Sequence, residues 1–500
     1  MKTKNLLLGM FICCIIAIAN TANAQDVLWK RSFGGIWGDK YLSVTSVSDG
    51  IVAVGYSSHY SFGTGDWTDV TAKGVGSIYY PEDDEYDAII VKYNNIGDVV
   101  WKKNFGGNDE DVYNSVTAVS DGIIAVGYSG ISSFGSGDWV GVMGKGRGNA
   151  IIVKYDNSGN VVWKKNFGEN GVYSYWYSSV TIVSDGIIVV GGYTGELFSN
   201  AIIVKYNKDG NMVWKKDFGE NGEYYYGYSS VITVSDGIVT VGYNTWNTID
   251  SHKSITIIVK YDNNGNIVWK KDFGENDYDF YSSVTKVSDG IVAVGTIIVK
   301  YDNNGNIVWK KTDGYNSVTT VSDGIIAVGR RGKHIIDDDF EDILIFDAII
   351  SKYDNIGNLL WQNTFDGCSD LSTTYNSVTA LSDGIVAVGE YGGSIYGGIG
   401  EGDCTGFDAI IVKYNGGNAS GLNDIQISNG LSLSPNPAKE TLIIKNEELR
   451  MGDYSIFNVS GQVLMQGALS TETTTINVKS LPSGMYFIKV GNRTGKFIKE

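Results

Sequence analysis

Residues 257–311 read IIVKYDNNGNIVWKKDFGENDYDFYSSVTKVSDGIVAVGTIIVKYDNNGNIVWKK, and the 15 residues that open this stretch also close it. The stretch therefore holds one complete copy of a repeated unit, which is 40 residues long from Trp269 to Trp309. A repeat of this length that is rich in β-branched and aromatic residues is typical of β-propellers, in which each repeat is one four-stranded sheet.

Three motifs of this unit recur through the chain in a fixed cyclic order, seven times each. VWKK-x-FG, in its fullest form, surrounds Trp29, Trp101, Trp163, Trp214, Trp269, Trp309 and Trp361. SVT-x-VSDGI-x-AVG begins at Ser43, Ser115, Ser179, Ser230, Ser283, Ser317 and Ser377. AIIVKY begins near Ala88, Ala150, Ala201, Thr256, Thr296, Ala348 and Ala409. The seven copies predict seven structurally equivalent units.

Each copy predicts four antiparallel strands, with strand A at SVT-x-V, B at GI-x-AVGY, C at AIIVKY and D at GN-x-VWKK-x-F. The chain starts this pattern with a lone D strand, Val27 to Phe33, and its seventh copy ends after strand C at Tyr414. A closed ring buries the end faces that an open stack of sheets would expose. The sequence therefore predicts an all-β fold whose N-terminal strand closes a seven-bladed β-propeller over residues 26–415.

The composition and the first 24 residues indicate an exported globular protein. The net charge of −17 makes nucleic acid an unfavourable partner, because an acidic surface repels phosphates. Residues 1–24 have the basic start, apolar stretch and small-residue cleavage site of a secretory signal peptide. No later segment is long and apolar enough to predict a transmembrane helix once this signal is cleaved.

The strand order places the short A–B and C–D turns at one face and the variable B–C and D–A loops at the other. We expect a ligand at the loop face, since loops on a rigid scaffold usually carry binding residues. Two of the B–C loops share a phrase, SFGTGDW at 61–67 and SFGSGDW at 133–139. Its aromatic residues predict either an exposed platform for a glycan or peptide, or a plug that packs each loop on its own blade: Phe62, Trp67, Phe134 and Trp139.

Acidic residues and cysteines in the loops suggest two further sites. Oxygen ligands suit calcium, so two acidic runs are weak calcium candidates, with a solvated charge run as the alternative: Asp83, Asp84, Asp337, Asp338 and Asp339. No other cofactor is expected. Cys368 and Cys404 are the cysteines outside the signal peptide, and an even pair in an exported chain is compatible with a disulfide on the loop face.

The last 70 residues follow a linker at residues 416–430 and predict a small Ig-like β-sandwich over residues 431–500. Their motifs are LSPNP at 433–437, YSIFNVSGQ at 454–462, LPSGMYF at 481–487 and a basic tail. This region resembles the type A C-terminal sorting domain of type IX secretion, and the resemblance assigns its motif to Pro435, Asn436, Pro437, Gly461, Gly484, Lys496 and Lys499. The resemblance implies a partner, the type IX machinery, and export through the periplasm of a Bacteroidota-type bacterium to the surface or beyond. The repeats are similar to propeller-type repeats of such cargo.

The activity is the least determined property. We favour a non-enzymatic module that binds a glycan or protein at the loop face over a carbohydrate-active hydrolase or lyase. The three histidines, His59, His252 and His334, have no metal-ligand spacing, and the nucleophile-elbow, P-loop and HExxH motifs do not occur. The pattern D-x-x-G-x-x-x-W, as in Asp262 to Trp269, partly resembles the docking motif of quinone-cofactor propellers, and we interpret it as a structural parallel.

Overall fold

The computed structural model describes residues 26–74, 85–169, 171–195, 198–219, 224–247, 252–274, 279–336, 342–365, 372–393, 406–415, 432–434, 438–445, 452–458, 463–469, 473–490 and 493–499. The chain divides into two compact units, the first ending at Asn415 and the second starting at Gly416. Strands dominate both units, and short 3₁₀ helices lie at His59–Ser61, Gly65–Trp67, Ile131–Ser133 and Gly137–Trp139. The predicted all-β class is confirmed.

The first unit begins with β1 (Val27–Phe33), and the strands that follow pair as antiparallel groups of four, called strand groups below. Group one consists of β2 (Asp39–Val47), β3 (Gly50–Ser58), β4 (Tyr86–Tyr93) and β5 (Val99–Phe105). Group two consists of β6 (Asp111–Val119), β7 (Gly122–Gly130), β8 (Gly148–Tyr155) and β9 (Val161–Phe167). Group three consists of β10 (Ser174–Val183), β11 (Gly186–Thr194), β12 (Ser199–Tyr206) and β13 (Met212–Phe218). Group four consists of β14 (Tyr224–Val234), β15 (Gly237–Asn247), β16 (His252–Tyr261) and β17 (Ile267–Phe273). Group five consists of β18 (Tyr281–Val287), β19 (Gly290–Gly295), β20 (Ile298–Asp302) and β21 (Ile307–Lys311). Group six consists of β22 (Ser317–Val321), β23 (Gly324–Ile336), β24 (Asp342–Asp354) and β25 (Leu359–Phe365).

The last strands of this unit pair with its first strand. β26 (Thr373–Leu381), β27 (Gly384–Gly393) and β28 (Gly406–Tyr414) follow in chain order, and β1 lies antiparallel to β28. In this register Trp29 faces Lys413 and Phe33 faces Ala409. These four strands are called the closing group. Single parallel bridges, Gly148 with Ser174 and Ser199 with Tyr225, also join groups two, three and four into one continuous 12-stranded sheet.

The middle strands are apolar on both faces because each strand group packs between two others. In β3, Ile51 and Ala53 belong to the apolar core shared with the closing group, while Val52 and Val54 belong to the core shared with group two. All four side chains are fully buried. The continuous apolar run that defines this strand in the sequence follows from burial on two sides.

Two contacts recur in every strand group, and the first is an ion pair at the end that carries the short turns. The Lys of each KY pair on the third strand is 2–9 % exposed and lies 2.7–2.9 Å from the Asp of the Ser-Asp-Gly turn, as in Lys92–Asp49. The Tyr of the same pair shares a hydroxyl–hydroxyl hydrogen bond of 2.6–2.7 Å with a Tyr on the first strand or, in group six, just before it, as in Tyr93–Tyr41. Glycine is required after the Asp, since a Cβ on Gly50 would lie 2.0 Å from the Tyr93 carbonyl oxygen.

Neighbouring strand groups are joined through their first and fourth strands. The Ser that opens the SVT motif accepts a hydrogen bond of 3.3 Å from the backbone N–H of a Val in the next group, as Ser43 does from Val116. The same bond runs from Val44 to Ser377, so it also joins group one to the closing group. On the fourth strand, the Trp29 indole N–H donates to the Asn95 carbonyl in the turn of group one at 3.1 Å.

The second unit consists of two antiparallel sheets. One contains β29 (Ser432–Ser434), β30 (Thr441–Lys445) and β33 (Thr473–Asn477), and the other contains β31 (Gly452–Phe457), β32 (Val463–Leu469), β34 (Gly484–Val490) and β35 (Arg493–Lys499). Leu442 and Ile444 from the first sheet and Ile456, Ile488 and Phe497 from the second are buried in one apolar core. This unit therefore has a core of its own.

Candidate functional site

The first strands of the groups converge on one cavity of about 610 Å³, called the central cavity below. Each group contributes the residue directly before its SVT motif or the equivalent motif, and these residues are Leu42, Asn114, Ser178, Ser229, Ser282, Asn316 and Asn376. Because side chains alternate across a strand, the residue next to the bonded Ser faces the opposite side, toward the centre. The repeat that builds the fold therefore also builds the wall of the cavity.

The three asparagines of this wall are fixed by hydrogen bonds to the next strand group. Each side-chain amide nitrogen donates at 2.9 Å to a first-strand Tyr carbonyl, from Asn114 to Tyr177, from Asn316 to Tyr375 and from Asn376 to Tyr41. Each bond uses one of the two N–H groups of the amide and leaves the second N–H and the carboxamide oxygen for other partners. The asparagines are thus held in place while they keep polar atoms for a ligand.

A second tier of residues lines the cavity two positions nearer the loop end of the strands. Lys40 forms an ion pair of 2.8 Å with Glu390, which joins group one to the closing group. Trp176 also lines the cavity, and its ring fits because Gly192 stands opposite, where a Cβ would lie 2.7 Å from the indole. Thr374 is 4 % exposed, and its hydroxyl has no hydrogen-bond partner among the described residues.

The loop phrase of group one folds into a plug around a buried carboxylate. Trp67, at the end of a 3₁₀ helix, is fully buried and donates its indole N–H to Asp39 at 3.1 Å. The Asp39 carboxylate also accepts from the Gly35 N–H at 2.8 Å and from the Ser61 hydroxyl at 3.0 Å. Burial raises the pKa of Asp39 to about 6, although these donors lower it. Phe62 packs on the Trp67 ring at 5.1 Å.

The loop phrase of group two repeats this arrangement. Trp139 is fully buried, its indole N–H donates to the Ser129 hydroxyl at 3.1 Å, and its ring packs edge-on to Phe105 at 5.0 Å. Burial raises the pKa of the nearby Asp111 to about 7. Phe134 contacts Trp139 at 4.9 Å. Of the two interpretations of the shared phrase, the packing interpretation describes Trp67 and Trp139, because neither indole is exposed to a ligand.

A histidine–aspartate pair ties the long loop of group one to its third strand. The His59 Nε2 atom lies 2.8 Å from Asp87, which also accepts from the Asn104 amide at 2.6 Å and the Lys73 N–H at 2.8 Å. Burial lowers the pKa of the His59 imidazole, but the hydrogen bond to Asp87 and nearby negative charges together raise the pKa by more than burial lowers it. The net shift of the pKa is therefore upward. Sequence reasoning missed this pair because 28 residues separate its members.

Several predicted site residues lie outside the described residues. These are the calcium candidates Asp83, Asp84, Asp337, Asp338 and Asp339, the cysteines Cys368 and Cys404, and the sorting-motif residues Pro435, Asn436, Pro437 and Gly461. The calcium sites and the disulfide stay predictions. Among the described residues, no three His, Cys, Asp or Glu side chains are grouped as metal ligands. Of the remaining sorting-motif positions, Gly484 opens β34, and Lys496 and Lys499 lie in β35.

The C-terminal residues match a family of known role. Residues 432–500 match the model of the secretion system C-terminal sorting domain. Residues 432–500 of the second unit are a type IX sorting domain. The resemblance inferred from the sequence is confirmed, and the sorting domain indicates that the chain is exported to the cell surface or outside the cell. In the described part of the chain, no helix has the length and apolar character needed to cross a membrane.

The solved structures that resemble the first unit do so distantly. No curated protein matches the chain. Among solved structures, Sqt1 from Chaetomium thermophilum is similar with a TM-score of 0.40 and 10 % identity, covering 79 % of this chain and 100 % of that one. The hemagglutinin-neuraminidase of Parainfluenza Virus 5 has a TM-score of 0.35 and 8 % identity, covering 78 % and 92 %. These likenesses are too distant to assign a function.

Proposed function

We propose that the chain is an exported, seven-bladed β-propeller that binds an extracellular glycan or protein in its central cavity, without catalysing a reaction. In this proposal residues 1–24 are a signal peptide, residues 26–415 the propeller, residues 416–430 a linker and residues 431–500 the sorting domain, folded as a small β-sandwich. The strand groups are the blades. The observation that carries the binding function is the central cavity of about 610 Å³, to which every strand group contributes the residue directly before its SVT or equivalent motif.

Ring closure is supported by contacts between the two ends of the first unit. β1 pairs with β28 over its length. The Asn376 amide donates to the Tyr41 carbonyl at 2.9 Å, and the Val44 N–H donates to the Ser377 hydroxyl at 3.3 Å. These bonds have the same donors and acceptors as those between consecutive groups. The seventh blade then meets the first as any blade meets its neighbour, which is what a closed propeller requires.

Binding is favoured over glycan hydrolysis by the charges of the cavity. Retaining and inverting glycosidases both use two carboxyl groups across the scissile bond. Among the described residues that line the cavity, Glu390 is the one carboxylate, and Lys40 holds it in an ion pair. The lining otherwise combines an aromatic ring with amides and hydroxyls, which fix the orientation of a bound ligand.

The test is a binding screen of the secreted chain on arrays of bacterial and host glycans, followed by comparison of two tryptophan variants. Trp176→Ala removes the aromatic ring of the cavity, whereas Trp37→Ala removes a ring that is 41 % exposed and outside it. We expect Trp176→Ala to weaken binding about tenfold or more and Trp37→Ala to leave it unchanged. Equal effects of both variants, or turnover of a bound polysaccharide, would contradict the proposal.

A further inference from the structure

Among the described residues that line the central cavity, one cation, Arg330, forms no ion pair with a carboxylate. Arg330 is exposed at the cavity wall, and its guanidinium stacks on the Phe346 ring at 4.3 Å. Among the described residues it forms no ion pair, whereas Lys40 and Glu390 neutralise each other at 2.8 Å. The described charges of the lining therefore sum to about +1 inside a chain whose net charge is −17.

Arg330 stands where the repeat departs from its own pattern. The residue after the AVG motif is Tyr56, Tyr128 and Tyr243 in groups one, two and four, but Arg330 in group six and Glu390 in the closing group. Since Glu390 is paired with Lys40, the substitution that leaves a free charge is the arginine. Its contact with Phe346 holds the guanidinium plane without occupying its N–H groups.

A second, independent feature of the cavity lacks a partner. Thr374 lies beside Glu390 in the register of β26 and β27, and its buried hydroxyl makes no hydrogen bond among the described residues. A buried polar group without a partner costs free energy, which a ligand oxygen or N–H recovers on binding. The carboxamide oxygens of the wall asparagines offer further acceptors for ligand hydroxyls.

We propose that the central cavity binds an acidic saccharide whose carboxylate pairs with Arg330 and whose hydroxyls bond to Thr374 and the wall asparagines. The planar guanidinium fork matches a carboxylate in two parallel hydrogen bonds. Trp176 supplies an apolar surface for the sugar ring on the same wall. This inference rests on the proposed binding function and specifies the class of its ligand.

The test compares acidic polysaccharides with their own carboxyl-reduced forms. Polygalacturonate, alginate and heparosan, each beside its carboxyl-reduced product, are titrated against the secreted chain by calorimetry. We expect at least one acidic form to bind, and we expect the affinity of its carboxyl-reduced form to be lower by about tenfold or more. Equal affinity for both forms, or binding of neither, would overturn the inference.

Variants at adjacent arginines assign the effect to the cavity. Arg330→Gln is expected to weaken binding of the acidic form about tenfold, and Arg330→Lys to weaken it less, because lysine keeps the charge but loses the fork. Arg331→Gln removes the same charge from a neighbouring exposed residue outside the lining and is expected to leave affinity within about twofold. Equal losses in Arg330→Gln and Arg331→Gln would show non-specific charge attraction and overturn the inference.

The outcomes separate this inference from the proposed function. If the chain binds a neutral glycan, and Trp176→Ala weakens that binding while Arg330→Gln does not, the cavity is a binding site but the acidic ligand is wrong. If Trp176→Ala and Arg330→Gln both leave every glycan affinity unchanged, the cavity is not the glycan site, and this inference fails together with the proposal that the cavity binds a glycan. Circular dichroism of each variant verifies that the losses do not reflect unfolding.

Discussion

The turn end and the loop end of the strand groups differ in how much their side-chain contacts vary from group to group. At the turn end, the Lys–Asp ion pair recurs from group to group with N–O distances that vary by about 0.2 Å or less. At the loop end, the residue before the AII motif is Asp87 in group one, Asn149 in group two, Asn200 in group three and Asp408 in the closing group, each with different surroundings.

This difference shows which part of the repeat is free to vary. Short turns close the strands at one end and allow one arrangement, so the same side chains serve every group. The loops at the other end have no fixed length, and in group five Gly295 runs directly into Thr296. Each long loop then needs its own anchor, such as Asp39 for Trp67. The turn end keeps the same contacts in every group, whereas the residues and contacts of the loop end differ from group to group.

The largest effect is expected from removing a loop plug. Trp139→Ala deletes a fully buried indole and should lower the free energy of unfolding by about 3–5 kcal/mol. Denaturant titration of the secreted chain measures this change, with the exposed Trp37→Ala as the control. A loss below about 1 kcal/mol would mean that the loop does not depend on its plug, and the comparison between the two ends would fail.

The two ends should respond to pH in opposite directions. Burial, with the charges of Asp39 and Asp66, raises the pKa of Asp408 to about 7, so its folded state binds a proton more tightly than the unfolded chain. Stability from this group is present below about pH 4 and is lost as the pH rises through 7. Hydrogen bonding to Lys92 instead lowers the pKa of Asp49, so the turn end loses stability as the pH falls through the acidic range.

Asp408→Asn tests the loop half of this pH dependence. The variant should gain stability relative to the wild type between pH 5 and 8, by an amount on the order of 2 kcal/mol at the upper end. Unfolding titrations at several pH values measure the difference, and Asp209→Asn, an exposed turn residue, is the matched control. A parallel pH profile for Asp408→Asn and the wild type would contradict the assignment.

The turn end should be asymmetric between its two partners. Lys92 is 4 % exposed, and Asp49 is mostly exposed. Removing the carboxylate therefore leaves a buried ammonium without its partner, whereas removing the lysine leaves a carboxylate that water solvates. We expect Asp49→Asn to cost about 1–2 kcal/mol and Lys92→Met less than about 1 kcal/mol. The reverse order of the two free energies of unfolding would show that the pair does not act through burial of the lysine.

The smallest expected effect is the difference in stability loss when the same turn carboxylate is removed from different strand groups. Asp121→Asn and Asp236→Asn remove the same turn carboxylate from groups two and four. Their losses of stability should agree with that of Asp49→Asn within about 0.5 kcal/mol, because the three contacts have the same geometry. A spread above about 1 kcal/mol would show that the turn ends are not equivalent.

The sequence predicts the regular part of this molecule closely. The expected D strand Val27–Phe33 is β1, and the SVT and AIIVKY motifs lie in the first and third strands of their groups. This works because each strand is specified by local pattern and by short Gly-containing turns. The sorting domain is also recognised from its motifs.

The candidate site is less accessible to sequence reasoning, because it depends on contacts between distant residues. Asp39 and Trp67 are 28 residues apart, and nothing local indicates that a carboxylate is buried. The cavity residues come from different copies of the repeat and meet only when the strand groups pack together. A signal was nevertheless present, since Arg330 and Glu390 replace the tyrosine that three other groups have at that position.

Ring closure by the N-terminal strand is tested most directly by hydrogen–deuterium exchange. β1, VLWKRSF, has an internal control in β5, VVWKKNF, which has nearly the same sequence and occupies the same fourth position in group one. The closed ring predicts that the amides of residues 27–33 exchange within about tenfold of those of residues 99–105. Exchange of residues 27–33 at the rate of an unfolded chain, while residues 99–105 stay protected, would contradict it.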